Sequence, residues 1–363
     1  MAKHRFALIG CGAVGQHHIS AIAGIRNAEL VALCDVREAT AKQFGESAGV
    51  PWYTDYEKML HDQPEIAIVN ICTPSGLHMQ AALDVMAAGK HCVVEKPLEI
   101  TLDRCDKMIA AAEKAGVQLV TIFPSRFGDG AQEIRKAVDQ GRFGKLTIGD
   151  AYVRWWRTQE YYDSGGWRGT WKLDGGGALI NQSIHCVDLI QWFMGDCKAV
   201  TAVTGCLAHE RIEVEDAAIL AIEWANGAIG VIQGTTAAWP GFEKKIAISG
   251  DSGSVVLEED DLPFWKFAKK RRRDAWIQEN LSGAKAHGTG AADPMAFSPE
   301  NHRRQLADLC KALDKGTKPL VDGCEGRKSL EIIMAAYKSA ETGRRVELPL
   351  SPTYKPGRKS KKK

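Results

Sequence analysis

Residues 5–15 read Arg-Phe-Ala-Leu-Ile-Gly-Cys-Gly-Ala-Val-Gly, a buried-strand pattern running directly into Gly-x-Gly-x-x-Gly. Each glycine has a physical task. Gly10 permits the tight turn off the strand. Gly12 lets backbone approach a pyrophosphate, and Gly15 lets the next helix pack close to the sheet. Ala13 and Val14 fill the variable positions and open that helix, whose N-terminus attracts phosphate. Twenty residues beyond Gly15, a second apolar run, Leu30-Val31-Ala32-Leu33-Cys34, ends in Asp35. A carboxylate there accepts hydrogen bonds from the hydroxyls of an adenosine ribose and repels a 2′-phosphate. Strand, glycine turn, helix and acid in register predict a dinucleotide site that favours NAD. Arg37 follows two residues later. It either pairs with a 2′-phosphate, which keeps NADP as the alternative, or sits solvated in the first turn of the next helix.

The remaining properties narrow the class. With 47 basic and 45 acidic residues, the 363-residue chain carries a formal charge of +2. No net field draws it to nucleic acid or to a membrane. Its 10 cysteines are scattered without a C-x-x-C pair, as expected of a reducing cytoplasm. The chain moves almost at once into its first strand, leaving no room for a signal peptide, and no apolar run approaches a membrane span. The expectation is a cytoplasmic protein of two domains.

Strand and helix signals alternate through about residue 123, as a parallel sheet requires. Helices are expected after Gly15, Val36 and Thr54, over residues 77–88, and over 101–115 with Thr101 as the cap. Strands are expected over residues 66–72, 91–94 and 117–123. Beyond, a helix at 131–139 leads to strands at 146–156, 199–206, 217–224, 228–234 and 245–248, with Asn226-Gly227 as a hairpin turn. Short connections predict a mostly antiparallel sheet whose open apolar face invites a homo-oligomer. Residues 258–261 are acidic and 266–273 largely basic, read as a surface hairpin or loop. Residues 282–298 read as a long loop, 302–313 and 326–342 as the last helices, and 351–363 as a solvated basic tail. The fold class is α/β, with a Rossmann domain over 1–123 and a second α/β domain over 124–350 for substrate and association.

Ligands of an open parallel sheet bind beyond the carboxyl ends of its strands. Thr73-Pro74-Ser75 and Glu95-Lys96-Pro97 both occupy such ends. The Lys96 amine can hydrogen-bond a substrate hydroxyl and take part in proton transfer. Its plainer role is a surface lysine paired with Glu95. Farther on, Asp174-Gly175-Gly176-Gly177 leads into a helical pattern in which Asn181, His185 and Asp188 share one face at i, i+4 and i+7. Asp188 would orient the imidazole, which would meet substrate beside Asn181. No third ligand stands near His185 and Asp188, so no metal site is expected. Between these clusters lie Arg157, Tyr161, Tyr162, Arg168 and Trp171, types that stack on sugar rings and bind hydroxyls or anions.

Taken together, the glycine fingerprint, Thr73-Pro74-Ser75 with His78, residues 88–91 leading into Glu95-Lys96-Pro97, and residues 175–188 resemble the Gfo/Idh/MocA oxidoreductases over nearly the whole chain. The resemblance implies a homodimer or homotetramer through the second sheet and reversible oxidation of a secondary alcohol on a sugar or cyclitol. Lys96 would bind the reacting hydroxyl, His185 would take its proton, and Thr73, Pro74, Ser75, His78, Glu95 and Pro97 would surround the cofactor. Many members carry aspartate four residues before the histidine. Here Asn181 stands there and can orient substrate but not take a proton, so proton transfer rests on His185 or Lys96. The Asn-Gln-Ser-Ile-His segment is most similar to members acting on pyranosides or nucleotide-linked sugar acids, often at C3. Transient oxidation used to cleave a glycosidic bond, and a non-catalytic NAD sensor, are the rival readings.

Overall fold

A computed structural model describes residues 3–283 and 298–357. Contacts divide the chain into two compact units, Met1–Pro124 with Ser298–Arg327, and Ser125–Phe297 with Lys328–Lys363.

The first unit opens with β1 (His4–Ile9), α1 (Ala13–Ala23), β2 (Ala28–Cys34), α2 (Glu38–Ala48), β3 (Trp52–Tyr53) and α3 (Tyr56–Asp62). It continues through β4 (Ile68–Ile71), α4 (His78–Ala87), β5 (His91–Val94), α5 (Leu102–Ala115) and β6 (Leu119–Thr121). The strands form one parallel sheet in the order β3-β2-β1-β4-β5-β6. The order reverses between β1 and β4, so the ends of these two strands flank the crevice where such sheets bind ligands. Phe6, Ile68 and Val93 are fully buried beneath Ile22 of α1, each contributing roughly 1.5–3 kcal/mol by leaving water. Thr101 stands at the N-cap of α5, but its hydroxyl makes no capping bond.

The second unit contains α6 (Asp129–Asp139), β7 (Leu146–Arg154), α7 (Gln159–Asp163), a π-helical turn (Ala178–Ser183) and α8 (Ile184–Met194). Strands β8 (Cys197–Gly205), β9 (Ala217–Trp224), β10 (Ile229–Thr235), β11 (Lys245–Gly250), β12 (Gly253–Glu258) and β13 (Asp261–Phe267) follow, then α9 (Arg272–Asn280). The chain then passes through α10 (Glu300–Lys315), α11 (Gly323–Thr342) and β14 (Val346–Glu347). The second sheet runs β13-β12-β11-β7-β10-β9-β8-β14 and is antiparallel except where β10 meets β7. The π turn and α8 pack on one of its faces.

Three readings of the sequence change. Residues 298–327, which the sequence division runs into the second domain, pack with the first unit, where Leu306, Leu309 and Cys310 of α10 join the core of α1. The acidic and basic blocks do form a hairpin of β12 and β13, but the basic run continues into α9. Residues 351–357 are tied down, since Tyr354 Oη and the Gly357 amide donate to Glu341 at 2.8 and 2.9 Å. The expected 282–298 loop lies largely, and the tail beyond 357 wholly, outside the described residues. All 10 cysteines are free thiols, and among the described residues no helix is long and apolar enough to cross a membrane.

Candidate active site

In the first unit, the glycine turn has the geometry its sequence predicts. Gly10 has φ +94°, and a Cβ there would lie 2.7 Å from the Cys72 carbonyl. A Cβ on Gly15 would lie 2.6 Å from the Gly10 carbonyl, so any side chain would push α1 off the turn. Gly12 differs: nothing lies within 4 Å of its would-be Cβ. Its surface is open to a ligand, as pyrophosphate approach requires.

Asp35, at the end of β2, accepts from the Cys11 amide at 2.9 Å and from the Arg37 amide at 2.9 Å. Arg37 also forks onto both carboxylate oxygens at 3.1 and 3.2 Å. Burial alone would raise the Asp35 pKa, but the bonds from Arg37 and Cys11 hold it below its usual value. The carboxylate is thus ionised at the ribose position, and the arginine is engaged with it. That geometry suits NAD.

Beyond β4, Ser75 is buried and the Thr73 hydroxyl is buried without a hydrogen bond to protein, a group suited to a ligand atom. Pro74 precedes the short turn into α4. His78 is fully buried, with Nδ1 3.0 Å from the Pro97 carbonyl and Nε2 2.9 Å from the Thr73 carbonyl. It therefore ties the two strand-end loops together rather than presenting its ring to a cofactor. Burial lowers its pKa, against the pull of those carbonyls. One proton then serves one carbonyl at a time. The Lys96–Pro97 bond is cis. Glu95 is buried, accepting from the Lys96 amide at 3.1 Å on Oε2 and lying 2.9 Å from His18 Nε2 on Oε1. Oε1 of Glu95 also lies 3.8 Å from His302 Nε2. Neither histidine was legible as a partner, because α1 and α10 lie far from Glu95 in sequence.

In the second unit, the glycine run enters a π turn rather than the expected regular helix. Glu215 is responsible: its carboxylate accepts from the Gly177 and Leu179 amides at 3.0 and 2.9 Å and from Tyr337 Oη at 3.0 Å. A Cβ on Gly177 would collide with the Glu215 backbone oxygen at 1.7 Å, so only glycine fits. Burial raises the Glu215 pKa to about 7. Asn181 lies in the turn and donates to Asp174 Oδ1 at 2.6 Å. Its Oδ1 accepts from Gln182 Nε2 at 3.0 Å. Gln182 also donates to Tyr161 Oη at 2.8 Å and accepts from Arg157 Nη2 at 2.9 Å. A continuous polar chain, Asp174–Asn181–Gln182–Arg157, therefore fixes the face that Asn181 presents.

His185 follows in the first turn of α8, partly exposed. Asp188 is fully buried, and Arg126 donates to both its oxygens at 2.8 and 2.7 Å. Spacing on one helix face did not reveal this partner, whose loss would strand a buried charge. The predicted substrate residues divide. Arg168 is half-buried, bonds to Ser164, and stacks over Tyr161 and Trp167 with centroid distances of 4.7 and 5.0 Å. Tyr162 instead is buried, bonding Thr236 at 2.7 Å, and belongs to the core. Arg157 is 2% exposed and acts through Gln182. Trp171 packs edge-on against Tyr337. Arg126, Asp174, Gln182 and Glu215 were missed as site residues. The acidic pair at 215–216 ahead of an apolar strand was the one local signal.

Comparison with known proteins agrees with this geometry. Residues 4–123 match the oxidoreductase family with an NAD-binding Rossmann fold, and residues 131–256 match the GFO/IDH/MocA C-terminal domain. The WlbA dehydrogenase from Bordetella pertussis, solved in complex with NADH and UDP-GlcNAcA, is 35% identical with a TM-score of 0.87. That match covers 96% of this chain and 99% of that one. Myo-inositol 2-dehydrogenase from Thermotoga maritima is 28% identical over 95% of this chain and 98% of its own. D-glucoside 3-dehydrogenase from Escherichia coli is 27% identical over 95% of this chain and 97% of its own.

Proposed function

Because the chain belongs to the GFO/IDH/MocA family of oxidoreductases, we propose that its substrate is a nucleotide-linked sugar acid, oxidised at a secondary hydroxyl, often C3 in such enzymes. The broader activity is plain: the protein is an NAD-dependent dehydrogenase acting on a secondary alcohol of the sugar, sugar acid, nucleotide-sugar or cyclitol class. The observation that carries the finer reading is the 35% likeness, over 96% of the chain, to a dehydrogenase solved with UDP-GlcNAcA. The partly exposed Arg168 over Tyr161 adds a cation beside an aromatic face, suited to an anionic sugar.

In the proposed reaction, bound NAD supplies the hydride acceptor. The residues of the chain handle the proton and the orientation. The Lys96 ammonium hydrogen-bonds the reacting hydroxyl and stabilises negative charge growing on its oxygen. His185 takes the hydroxyl proton as the carbonyl forms, acting as general base. Asn181, held by Asp174 and Gln182, offers an oriented amide to a neighbouring hydroxyl. Asp188, locked by Arg126, fixes the helix that carries His185. Gly10, Gly12, Ala13, Val14, Gly15, Asp35 and the loops at 73–75 and 95–97 form the cofactor side.

The same reading makes residues 1–123, packed with 298–327, the cofactor domain and the rest of 124–350 the substrate and association domain, in a cytoplasmic homo-oligomer. The open face of the second sheet supports association: Val203 and Ile219, directly paired across β8 and β9, are 73% and 55% exposed.

The test is NADH absorbance with purified protein, NAD and a panel of nucleotide-sugar acids, free sugars and inositols, with mass spectrometry of the products. NADH formed at high kcat/KM only with nucleotide-linked acids is the expected result. Turnover confined to free sugars or inositols would overturn the substrate, and product without net NADH would indicate redox-assisted cleavage.

A further inference from the structure

The first unit contains a side-chain cluster, reaching from the cofactor loop at Glu95 to α1 and α10, that takes no part in the proposed proton transfer. His18 of α1, Glu95 at the end of β5 and His302 of α10 each offer one ligand atom, all within 4.8 Å of one another. Among the described residues, this is the one grouping of three such side chains. His18 is fully buried and Glu95 is 7% exposed. The His302 side chain is 14% exposed, and its Nε2 stands 3.8 Å from Glu95 Oε1, beyond hydrogen-bond reach. Its Nδ1 is buried without a partner. The ring thus has one buried nitrogen without a partner and the other turned toward a buried carboxylate, and an unsatisfied buried polar atom is costly. His17 stacks on the same ring at 6.0 Å, closing it from one side.

We propose that His18 Nε2, Glu95 Oε1 and His302 Nε2 form a binding site for a divalent transition-metal ion of the zinc class. The geometry is close to what such an ion requires. Ligand atoms held about 2.0–2.1 Å from a tetrahedral ion stand roughly 3.3 Å apart. The observed separations of 2.9 Å (His18 to Glu95) and 3.8 Å (His302 to Glu95) bracket that value. Two imidazoles and one carboxylate select zinc, cobalt or nickel over magnesium or calcium, which take oxygen ligands.

An outer partner is also in place. His18 Nδ1 lies 2.8 Å from the side-chain amide of fully buried Asn70 on β4. The two ends of an asparagine amide are interchangeable at this contact. With Oδ1 turned to the ring, Nδ1–H donates to Asn70 and the Nε2 lone pair is free for a metal. Hydrogen-bonded second nitrogens of this kind orient metal-ligating histidines. Glu95 Oε2 remains engaged with the Lys96 amide. The ion would therefore join α1, the end of β5 and α10, through the residue that precedes Lys96.

The protein, freed of metal by chelation and dialysis, is titrated with Co²⁺ and followed by visible d–d absorption, then back-titrated with Zn²⁺. One equivalent per chain is expected, with a four- or five-coordinate nitrogen–oxygen spectrum, displaced by Zn²⁺. At a hundredfold excess over Kd, Zn²⁺ should raise Tm by roughly 5–10 °C. His302→Ala should abolish saturable uptake while keeping its metal-free Tm and NAD affinity. His302→Gln, with a polar side chain of similar length, serves if the alanine variant is unstable. Absent saturable uptake, uptake undiminished in the His302 variants, or thiolate charge-transfer bands assigning the ion to cysteine would each overturn the site. The readout is independent of substrate, so it stands or falls separately from the proposed reaction.

Discussion

Asp35 carries two tasks through one carboxylate. Its oxygens receive the Cys11 amide, which shapes the glycine turn, and the Arg37 fork, which keeps the acid ionised. Replacing it with serine removes the ribose acceptor and releases Arg37 for a 2′-phosphate. Asp35→Ser should therefore lower kcat/KM for NAD by about 10- to 100-fold, the worth of a charge-assisted hydrogen bond, and raise that for NADP. An unchanged NAD/NADP ratio would remove Asp35 from cofactor choice. The acid and the glycines were legible because their meaning is local: a turn, a close approach, a strand end. Arg126, Gln182 and His302 were not legible in the same way. Their meaning lies in Asp188, Arg157 and Glu95, partners that only the folded chain brings near. Tyr162 shows the converse, an aromatic in a promising segment that the core absorbs.

At the scale of elements, α9 hides inside a run of basic residues whose pattern suggested solvent. Asp274 makes it a helix. It accepts from the Arg271 amide at 2.7 Å at the N-terminus, from Trp265 Nε1 at 2.8 Å, and from Arg142 at 2.7 and 2.8 Å. Although burial opposes ionisation, the bonds from Arg142 and Trp265 pull its pKa down to about 2. A pKa depressed in the folded state contributes stability above the unfolded value and loses it as pH falls through the folded one. The contribution is on the order of 2 kcal/mol at neutral pH and about half that by pH 3. Urea unfolding of wild type and Asp274→Asn should show this gap at pH 6 and its narrowing at pH 3; a gap independent of pH would reject the ion pair as its source. The π turn was equally hidden. A helical period was readable from residue 178 onward, but the Glu215 carboxylate that claims the Gly177 and Leu179 amides comes from β9's approach, nearly forty positions later.

For the whole molecule, alternation of strands and helices gave the parallel sheet, and short turns gave the largely antiparallel one. The return of α10 to the first unit was not readable, because an amphipathic helix pattern does not name the surface it covers. The open sheet face makes the association claim testable. Val203 and Ile219 form an exposed apolar pair on adjacent strands, and Ile229, four positions along β10 from the partner of Ile219, is 56% exposed. Placing a charge there, as in Ile219→Lys, should convert the proposed oligomer to monomer by light scattering coupled to size-exclusion chromatography, without unfolding. An unaltered oligomeric mass would locate association elsewhere.

Lys96 is the residue on which the proposed chemistry turns, and one variant isolates it. Single-turnover NADH formation by Lys96→Met, with saturating NAD and a nucleotide-linked sugar acid, should fall by roughly 10²- to 10⁴-fold, the range for losing a positioned proton-handling group. NAD affinity, measured on the same protein by fluorescence, should stay within about twofold, since the glycine turn and Asp35 are untouched. A near wild-type rate with intact NAD binding would contradict the assignment of Lys96 and the mechanism built on it.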